Sequence, residues 1–294
     1  MDLQAPIFPE DPPPPPGEPA FAEREKLLEY GYPAPYREVD GQQLHLTLFL
    51  PTGHQKGERR PIILCFPGSR WDRIHPSQFA PHCLNFRHRG AVAAVVEYRT
   101  QATGAESPLE GISDIQAALR WVQRFASELG LNGDRVGAIA GSAAGHALLS
   151  LAMREAEETD EVSAPQALGL FAPIVDVSKD SPFHHPALTA SKNRKRHWNP
   201  VELVRKKVPP ILMVHGGADR IVPVGPVERF EKLMRRKKND CRLVIFEESD
   251  HSFFNANVNL GTYAQSLDLM DDFFVKQGVL DPKPADPSTG LSWE

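Results

Sequence analysis

The sequence predicts an α/β fold, in which a mostly parallel central sheet carries helices on both faces and begins with an antiparallel N-terminal hairpin. Segments with helical periodicity alternate with short apolar runs, which is typical of parallel strands joined by crossover helices. At 294 residues, with 41% hydrophobic and 24% charged residues, the chain is large enough for one such domain. The runs that have the length of buried strands are centred near Ile62, Val92, Val136, Leu168, Ile211 and Leu243.

The antiparallel hairpin is predicted from an alternation of apolar residues near the N-terminus. Leucines at every second position from Leu44 to Leu50 have the period of a half-buried strand. Asp40-Gly41 lies ahead of them and suits a turn from a short strand at positions 36–39. We therefore expect the chain to enter the sheet through two antiparallel strands.

A long helix is predicted to begin after Ser107. This residue and the next three combine an N-cap serine, the first-turn proline Pro108 and the capping-box glutamate Glu110. Gly130 is expected to end the helix. Its buried face is predicted to consist of Ile112, Ile115, Leu119 and Val122.

The most informative stretch of the chain runs from Ile139 to His146 and contains Ser142. The residues at 136–140 are predicted to form a buried strand and those at 143–154 a helix, so Ser142 falls on the sharp turn between them. A strained turn of this kind lifts a serine hydroxyl clear of the backbone, and small neighbours leave it accessible. The same stretch also suits a serine in a packing turn, so the interpretation depends on the rest of the chain.

Loops after two later strands carry an acid and a histidine. Asp219 follows the predicted strand at 211–215, and His251 follows the one at 242–247. A serine hydroxyl is a poor nucleophile near neutral pH, so it needs a histidine base and an acid that orients this base. Each residue alone also suits a turn or a surface position. The histidines that do not follow the last strand are weaker candidates for the base, namely His146, His184, His185 and His215.

Three motifs resemble those of the α/β-hydrolase superfamily. The stretch from Ala140 to His146 resembles the G-x-S-A-G-G-H form of the nucleophile turn, with alanine at two glycine places. The stretch at 215–223 is similar to the H-G-x-x-D-x-x-V-P acid loop, and the stretch at 248–253 stands where the family keeps its final histidine loop. The resemblance covers roughly residues 36–278 and is nearest to the esterase and lipase group with acetyl-xylan esterase-like and feruloyl esterase-like members.

The resemblance implies a serine carboxylic-ester hydrolase whose catalytic residues are Ser142, Asp219 and His251. The expected substrates are short-chain acyl esters, including acetyl or feruloyl esters of carbohydrate, which react through an acyl-enzyme without a cofactor or metal. Two alternatives stay open. One is a serine peptidase related to prolyl oligopeptidases, and the other is a non-catalytic binding protein on the same fold, suggested by Ala140 and Ala144.

The same resemblance implies an oxyanion hole. Its first donor is expected to be the backbone N–H of Ala143, the residue after the serine. The loop at 67–71 occupies the place of an H-G-G-G-W loop, which assigns the second donor to Gly68 or Ser69. Arg70 and Trp71 are expected to contact substrate, although Arg70 also suits a solvated surface charge.

Two further segments resemble structural parts of this superfamily. The stretch at 95–99 looks like a strand that ends in D-Y-R, and the stretch at 114–121 looks like the helix before the nucleophile strand. We expect Arg99, Asp114 and Trp121 to hold the architecture together.

Charge and composition exclude several kinds of partner. A net charge of −5 with a pI near 6.1 gives no overall positive field for binding nucleic acid. No apolar run approaches the ~20 residues of a membrane span. The three cysteines predict neither a disulfide framework nor a metal site.

The chain is predicted to consist of one hydrolase domain at 21–279 between two tails. The tail at 1–20 is rich in proline, and the tail at 280–294 is rich in proline and polar residues. A cap-like insertion is expected at about 176–210, and its basic run at 192–197 suits either a solvated loop or an acidic substrate. The chain as given carries no export signal, and the sequence leaves the compartment and the oligomeric state open.

Overall fold

An eight-stranded sheet forms the centre of the molecule, which the computed structural model describes at residues 25–154, 164–191 and 197–283. The strands are β1 (Tyr32–Val39), β2 (Gln42–Phe49), β3 (Arg60–Phe66), β4 (Val92–Val96), β5 (Leu131–Gly141), β6 (Ala167–Phe171), β7 (Ile211–Gly216) and β8 (Cys241–Phe246). Their order across the sheet is β1-β2-β4-β3-β5-β6-β7-β8. The pairs β1/β2 and β2/β4 are antiparallel, and every later pair is parallel.

Helices cover both faces of this sheet. They are α1 (Ala80–His88), α2 (Pro108–Phe125), α3 (Ser142–Met153), α4 (Pro186–Thr189), α5 (Pro200–Leu203), α6 (Val224–Arg236) and α7 (Leu260–Lys276). Ile112 of α2, Leu148 of α3 and Phe230 of α6 belong to one buried core. Phe86 of α1 and Phe274 of α7 belong to the other. The predicted fold class, with its parallel sheet between two layers of helices, is therefore confirmed.

The N-terminal hairpin forms where the sequence predicts it. Asp40 and Gly41 have φ values of 51° and 79°, so both lie in the left-handed region. Two such residues make the type of two-residue turn whose twist matches antiparallel strands. Leu44, Leu46 and Leu48 of β2 are buried, as their alternation predicts.

The start of α2 is also as predicted, but its end is not. Ser107 Oγ accepts the Leu109 N–H at 3.2 Å, and Glu110 Oε1 accepts the Ser107 N–H at 3.1 Å. The helix ends at Phe125 and not at Gly130. The chain then tightens into a turn, because the Leu131 N–H donates to the Ala126 carbonyl at 2.7 Å.

The carboxylate of Asp114 joins three parts of the fold. It lies on α2, is fully buried, and accepts Arg99 Nε at 2.9 Å and Arg37 Nη1 at 2.7 Å. Arg37 belongs to β1, and Arg99 lies just beyond β4. The expected architectural role of Arg99 and Asp114 thus has a structural basis, and Trp121 is buried in the same core.

In the described part of the segment between β6 and β7, at 172–191 and 197–210, two one-turn helices, α4 and α5, lie within irregular backbone. This segment is held to α3 at the Trp198 carbonyl, which accepts His146 Nε2 at 2.6 Å and Ser150 Oγ at 3.0 Å. Most of the basic run at 192–197, the tail at 1–20 and most of the tail at 280–294 lie outside the described residues, so the domain limits stay a prediction. None of the described helices combines the length and apolarity needed to cross a membrane.

Candidate active site

Ser142 lies on a strained strand-to-helix turn. β5 ends at Gly141, α3 begins at Ser142, and the serine has a φ of 48°. The left-handed region is costly for a residue other than glycine and persists only where the surroundings enforce it. The Ser142 carbonyl accepts the Ile174 N–H at 3.2 Å, which helps to hold the turn. The residue retains 4% exposure.

The residues around Ser142 are small because other backbone segments approach closely. A Cβ at Gly145 would lie 2.9 Å from Pro173, and one at Gly141 would lie 3.2 Å from the Cα of Gly68. A side chain at Gly145 would require Pro173 to shift, and one at Gly141 would be in tighter than ordinary contact with Gly68. Ala140 and Ala144, which replace glycines of the motif, are fully buried.

Asp219 and His251, predicted from separate loops, form a direct pair. His251 Nδ1 donates to Asp219 Oδ2 at 2.7 Å. Asp219 Oδ1 accepts the N–H groups of Ile221 and Val222 at 2.8 and 2.9 Å, which fixes the carboxylate. His215 Nε2 lies 3.4 Å from the same Oδ2.

The surroundings of Asp219 keep its carboxylate ionised. Burial raises the pKa, but hydrogen bonds from His215 and His251 outweigh burial, so the pKa lies well below its usual value. His215 is fully buried and its Nε2 donates to the Val222 carbonyl at 2.8 Å. It is therefore placed to support the acid and not to act as the base.

The loop that carries His251 packs against the serine turn. Phe254, three residues after the histidine, places its ring 3.3 Å from the Cβ position of Gly141. Within the described residues, no hydrogen bond joins Ser142 to His251. Hydrogen bonds between catalytic groups are often long without substrate and tighten when it binds.

The predicted oxyanion loop approaches the serine turn through its backbone. The Ala143 N–H donates to the Ser69 carbonyl at 3.3 Å, a long contact. The Gly68 N–H donates to Gln78 Oε1 at 2.7 Å and is thus occupied. The Ser69 N–H makes no hydrogen bond with the described residues, which leaves it the better placed of the two predicted second donors.

Trp71 and Arg70 occupy different surroundings. Trp71 has a φ of 69° and packs edge-on against Tyr98 and His146, with ring centroids 6.4 and 5.7 Å apart. Arg70 is exposed and places its guanidinium carbon 5.8 Å from the centroid of the Phe183 ring. Both residues line a cleft between the oxyanion loop and the insertion.

The remaining alternative histidines have other partners. His146 is fully buried, and burial lowers its pKa to about 4. His184 Nδ1 donates to the Val177 carbonyl at 3.2 Å, and His185 Nδ1 accepts the Ala187 N–H at 3.2 Å. None of the three contacts Asp219 in the described residues.

Sequence reasoning missed the residues that support the predicted oxyanion loop at 67–71. Tyr98 donates its hydroxyl to the Pro67 carbonyl at 2.5 Å, and Gln78 binds Gly68. Gln78 precedes α1 in a short 3₁₀ helix and has no motif that could reveal it. Among the described side chains, no group of three His, Cys, Asp or Glu residues is arranged to hold a metal ion.

Comparison with known proteins gives a consistent result. A model of the BD-FAE family matches residues 46–234, a span that includes Ser142 and Asp219 and ends before His251. The structure is similar to that of Est2, a thermophilic esterase from the planctomycete Thermogutta terrifontis with propionate bound. The TM-score is 0.76 and the identity 31%, over 86% of this chain and 97% of that one.

Two curated proteins are more distant relatives. LipM of Mycobacterium tuberculosis, a probable carboxylic ester hydrolase, is 25% identical over 198 residues, which are 60% of this chain and 45% of LipM. Endo-1,4-β-xylanase B of Butyrivibrio fibrisolvens is 23% identical over 244 residues, which are 78% of this chain and 37% of the xylanase. The chain thus aligns with less than half the length of either protein.

Proposed function

Because the chain belongs to the BD-FAE family of α/β-hydrolases, we propose that Ser142, His251 and Asp219 act as its catalytic triad. The protein is a carboxylesterase-type hydrolase. The observation that carries the triad proposal is the 2.7 Å hydrogen bond between His251 and Asp219, two residues from separate loops that were predicted as base and acid.

In the proposed mechanism, Ser142 Oγ attacks the ester carbonyl while His251 Nε2 takes its proton. Asp219 keeps the other imidazole proton on Nδ1 and stabilises the imidazolium cation. The leaving alcohol receives the proton from His251, and an acyl-enzyme remains. His251 then activates a water molecule that releases the acid.

The developing oxyanion is proposed to accept the N–H groups of Ala143 and Ser69. For this, the Ser69 carbonyl must turn away from the Ala143 N–H, to which it is now bonded at 3.3 Å. The length of that contact keeps the cost of breaking it small. Gly68 is the less suitable donor, because its N–H is bound to Gln78.

We propose short-chain acyl esters as substrates, with acetyl or feruloyl esters of carbohydrate as the specific class. The similar esterase Est2 binds propionate and butyrate, which supports a short acyl group. The similarity to a xylanase supports a carbohydrate alcohol. A panel of acetylated, feruloylated and glucuronoyl esters tests this choice, and exclusive activity on neutral aliphatic esters would contradict it.

The proposed nucleophile is tested by Ser142→Ala. Hydrolysis of p-nitrophenyl acetate should fall to the background rate, because no other side chain replaces the attacking oxygen. Ser127→Ala, on an exposed turn, serves as the matched control and should retain wild-type activity. Full activity of Ser142→Ala would contradict the proposal.

A non-catalytic binding protein is the second candidate, and one observation favours it. The Ser69 carbonyl occupies the Ala143 N–H that an oxyanion would need. A fluorophosphonate probe separates the two proposals, since it labels only an activated serine. Labelling of the wild type that is lost in Ser142→Ala supports the esterase, whereas unlabelled folded protein supports the second candidate.

A further inference from the structure

A polar cleft lies between the oxyanion loop and the insertion. We name it the Arg70 cleft, and the residues that matter here are Arg70, Glu106, Ser107, Phe183 and His185. We propose that this cleft binds a carboxylate on the ester substrate and that Arg70 is the residue that recognises it. The inference rests on the proposed function and names the class of ester that it favours.

The Arg70 cleft adjoins the proposed nucleophile. Ile174 lines the cleft, and its N–H donates to the Ser142 carbonyl at 3.2 Å. Arg70 directly follows Ser69, whose backbone is proposed to bind the oxyanion. The cleft thus lies beside the serine turn, and the proposal requires that a substituent a few bonds from the scissile carbonyl reach it while the carbonyl lies at Ser142.

Arg70 differs from the other arginine of the cleft in its charge balance. Arg99 bonds to Asp114 at 2.9 Å and to Glu110 at 3.0 Å, so its charge is compensated. Arg70 forms no ion pair with any described residue. Its guanidinium lies over the Phe183 ring, a platform that restricts its orientation. A guanidinium that lies over an aromatic ring and outside ion-pair distance of the described carboxylates suits the two oxygens of a carboxylate, with Asp72 nearby offsetting part of its charge.

One further polar group of the cleft also favours an anion. His185 Nδ1 accepts the Ala187 N–H, so a neutral His185 carries its proton on Nε2 and can donate it. The 18-residue helix α2 begins at Pro108 in the wall of the cleft, but Ser107 and the Glu110 carboxylate already cap its first N–H groups, so the helix end adds little to the attraction of an anion.

Two carboxylates lie close enough to oppose an anionic ligand. Asp72 accepts the backbone N–H groups of Arg70 and Arg73 at 3.1 and 2.7 Å but forms no ion pair with a described guanidinium. Glu106 lines the cleft, is exposed, and has no described cationic partner. Its charge should weaken binding of an anion, so Arg70 and Glu106 give substitutions with opposite expected effects.

The test uses two pairs of esters in which methylation removes the charge of one carboxylate, and the rate is that of release of the phenol after subtraction of the uncatalysed reaction. The first pair, 4-acetoxybenzoate and its methyl ester, places the carboxylate on the alcohol part. The second pair, p-nitrophenyl hydrogen succinate and p-nitrophenyl methyl succinate, places it on the acyl part. For each pair, kcat/KM of the charged ester is divided by that of the neutral ester, and the change in this ratio between variants is the readout.

Arg70→Gln should lower the ratio about tenfold in one of the pairs, because a charge-assisted hydrogen bond is lost. Arg70→Lys should restore part of it, and Glu106→Gln should raise it. Arg73→Gln is the matched control, since it removes the same charge nearby but does not line the cleft. The pair that responds shows which part of the ester occupies the cleft.

Several results would overturn the inference. One is a ratio of charged to neutral ester that is unchanged in Arg70→Gln. Another is an equal fall of this ratio in Arg73→Gln, because it would show a general effect of charge. If Arg70→Gln does not fold, the wild-type ratio is measured between 0.02 and 0.5 M NaCl, which are about 20 and 4 Å of Debye length. A ratio independent of salt would also contradict it. If the wild type hydrolyses none of the neutral esters, the result would instead contradict the proposed function.

Discussion

At the scale of single residues, the candidate site depends on how closely two backbone segments approach each other. The Cα of Gly68 lies 3.2 Å from the position that a Cβ on Gly141 would take, immediately before Ser142. This approach brings the loop at 67–71, the proposed oxyanion loop, to the serine turn and allows the Ala143 N–H to reach the Ser69 carbonyl. Any atom added between the two segments should move the donors away from the reacting carbonyl.

Gly68→Ala tests this geometry. The new Cβ would lie 3.1 to 3.2 Å from three backbone atoms of Gly141, which cannot move aside like a flexible side chain. We expect kcat on p-nitrophenyl acetate to fall about ten- to hundredfold, because a misplaced oxyanion donor stabilises the transition state poorly. The control is Gly133→Ala, whose Cβ would meet its nearest neighbour at an ordinary 3.6 Å. Wild-type kcat in Gly68→Ala would contradict the assignment of this loop.

At the scale of elements, one buried carboxylate joins a helix to two parts of the sheet. Asp114 of α2 binds Arg37 of β1 and Arg99 after β4. Arg99 also lines the Arg70 cleft. Its ion pair with Asp114, which binds Arg37 of the hairpin as well, therefore connects the hairpin with the candidate site. A buried ion pair of this kind contributes little over apolar packing, but removing one partner leaves the other charge uncompensated.

Asp114→Asn should therefore destabilise the protein clearly. We expect the free energy of unfolding to fall by about 3 kcal/mol, because two arginines lose a buried anion. Urea unfolding monitored by circular dichroism measures this change. Asp134→Asn is the control, since this exposed carboxylate pairs only at 3.7 Å with an exposed Arg59. Equal midpoints for the two variants would show that Asp114 does not hold these elements together.

At the scale of the whole molecule, buried histidines couple folding to pH. His82 of α1 is fully buried among the rings of Phe79, Phe171 and Tyr263, and neither ring nitrogen has a partner in the described part of the chain. Burial lowers its pKa from 6.5 to about 3. Between these values the unfolded chain binds a proton that the folded protein does not. The contribution of His82 to the free energy of unfolding is therefore fully present above about pH 6.5 and is lost as the pH falls toward 3.

His82→Leu should make stability less dependent on pH. Each pH unit below about 6 costs about 1.4 kcal/mol for one such histidine, so at pH 4 the wild type loses about 3 kcal/mol through His82. The variant should lose less between pH 7 and pH 4, as measured by urea unfolding at both values. His88→Leu, an exposed position on the same helix, should leave the pH dependence unchanged. The same loss in His82→Leu and wild type would refute the prediction.

Much of the fold could be predicted from local signals in the sequence. The hairpin at Asp40-Gly41, the capped start of α2 after Ser107 and the apolar strands follow from turn chemistry, capping and periodicity. Other features could not be predicted in this way. The end of α2 depends on a hydrogen bond between Leu131 and Ala126. The position of Gln78 against Gly68 depends on how two loops pack.

The sequence by itself determined the class of fold and the three residues proposed for catalysis, because strands, caps and loop motifs depend on residues that are close together in the chain. The tertiary structure alone decided which of these residues meet. It paired His251 with Asp219, gave His215 a position beside Asp219 and left the Ser69 N–H, unlike that of Gly68, without a hydrogen-bond partner among the described residues. It also brought Arg70 over Phe183, 113 positions away in the chain. Contacts between distant segments depend on packing of the whole sheet and its loops, which no local pattern encodes.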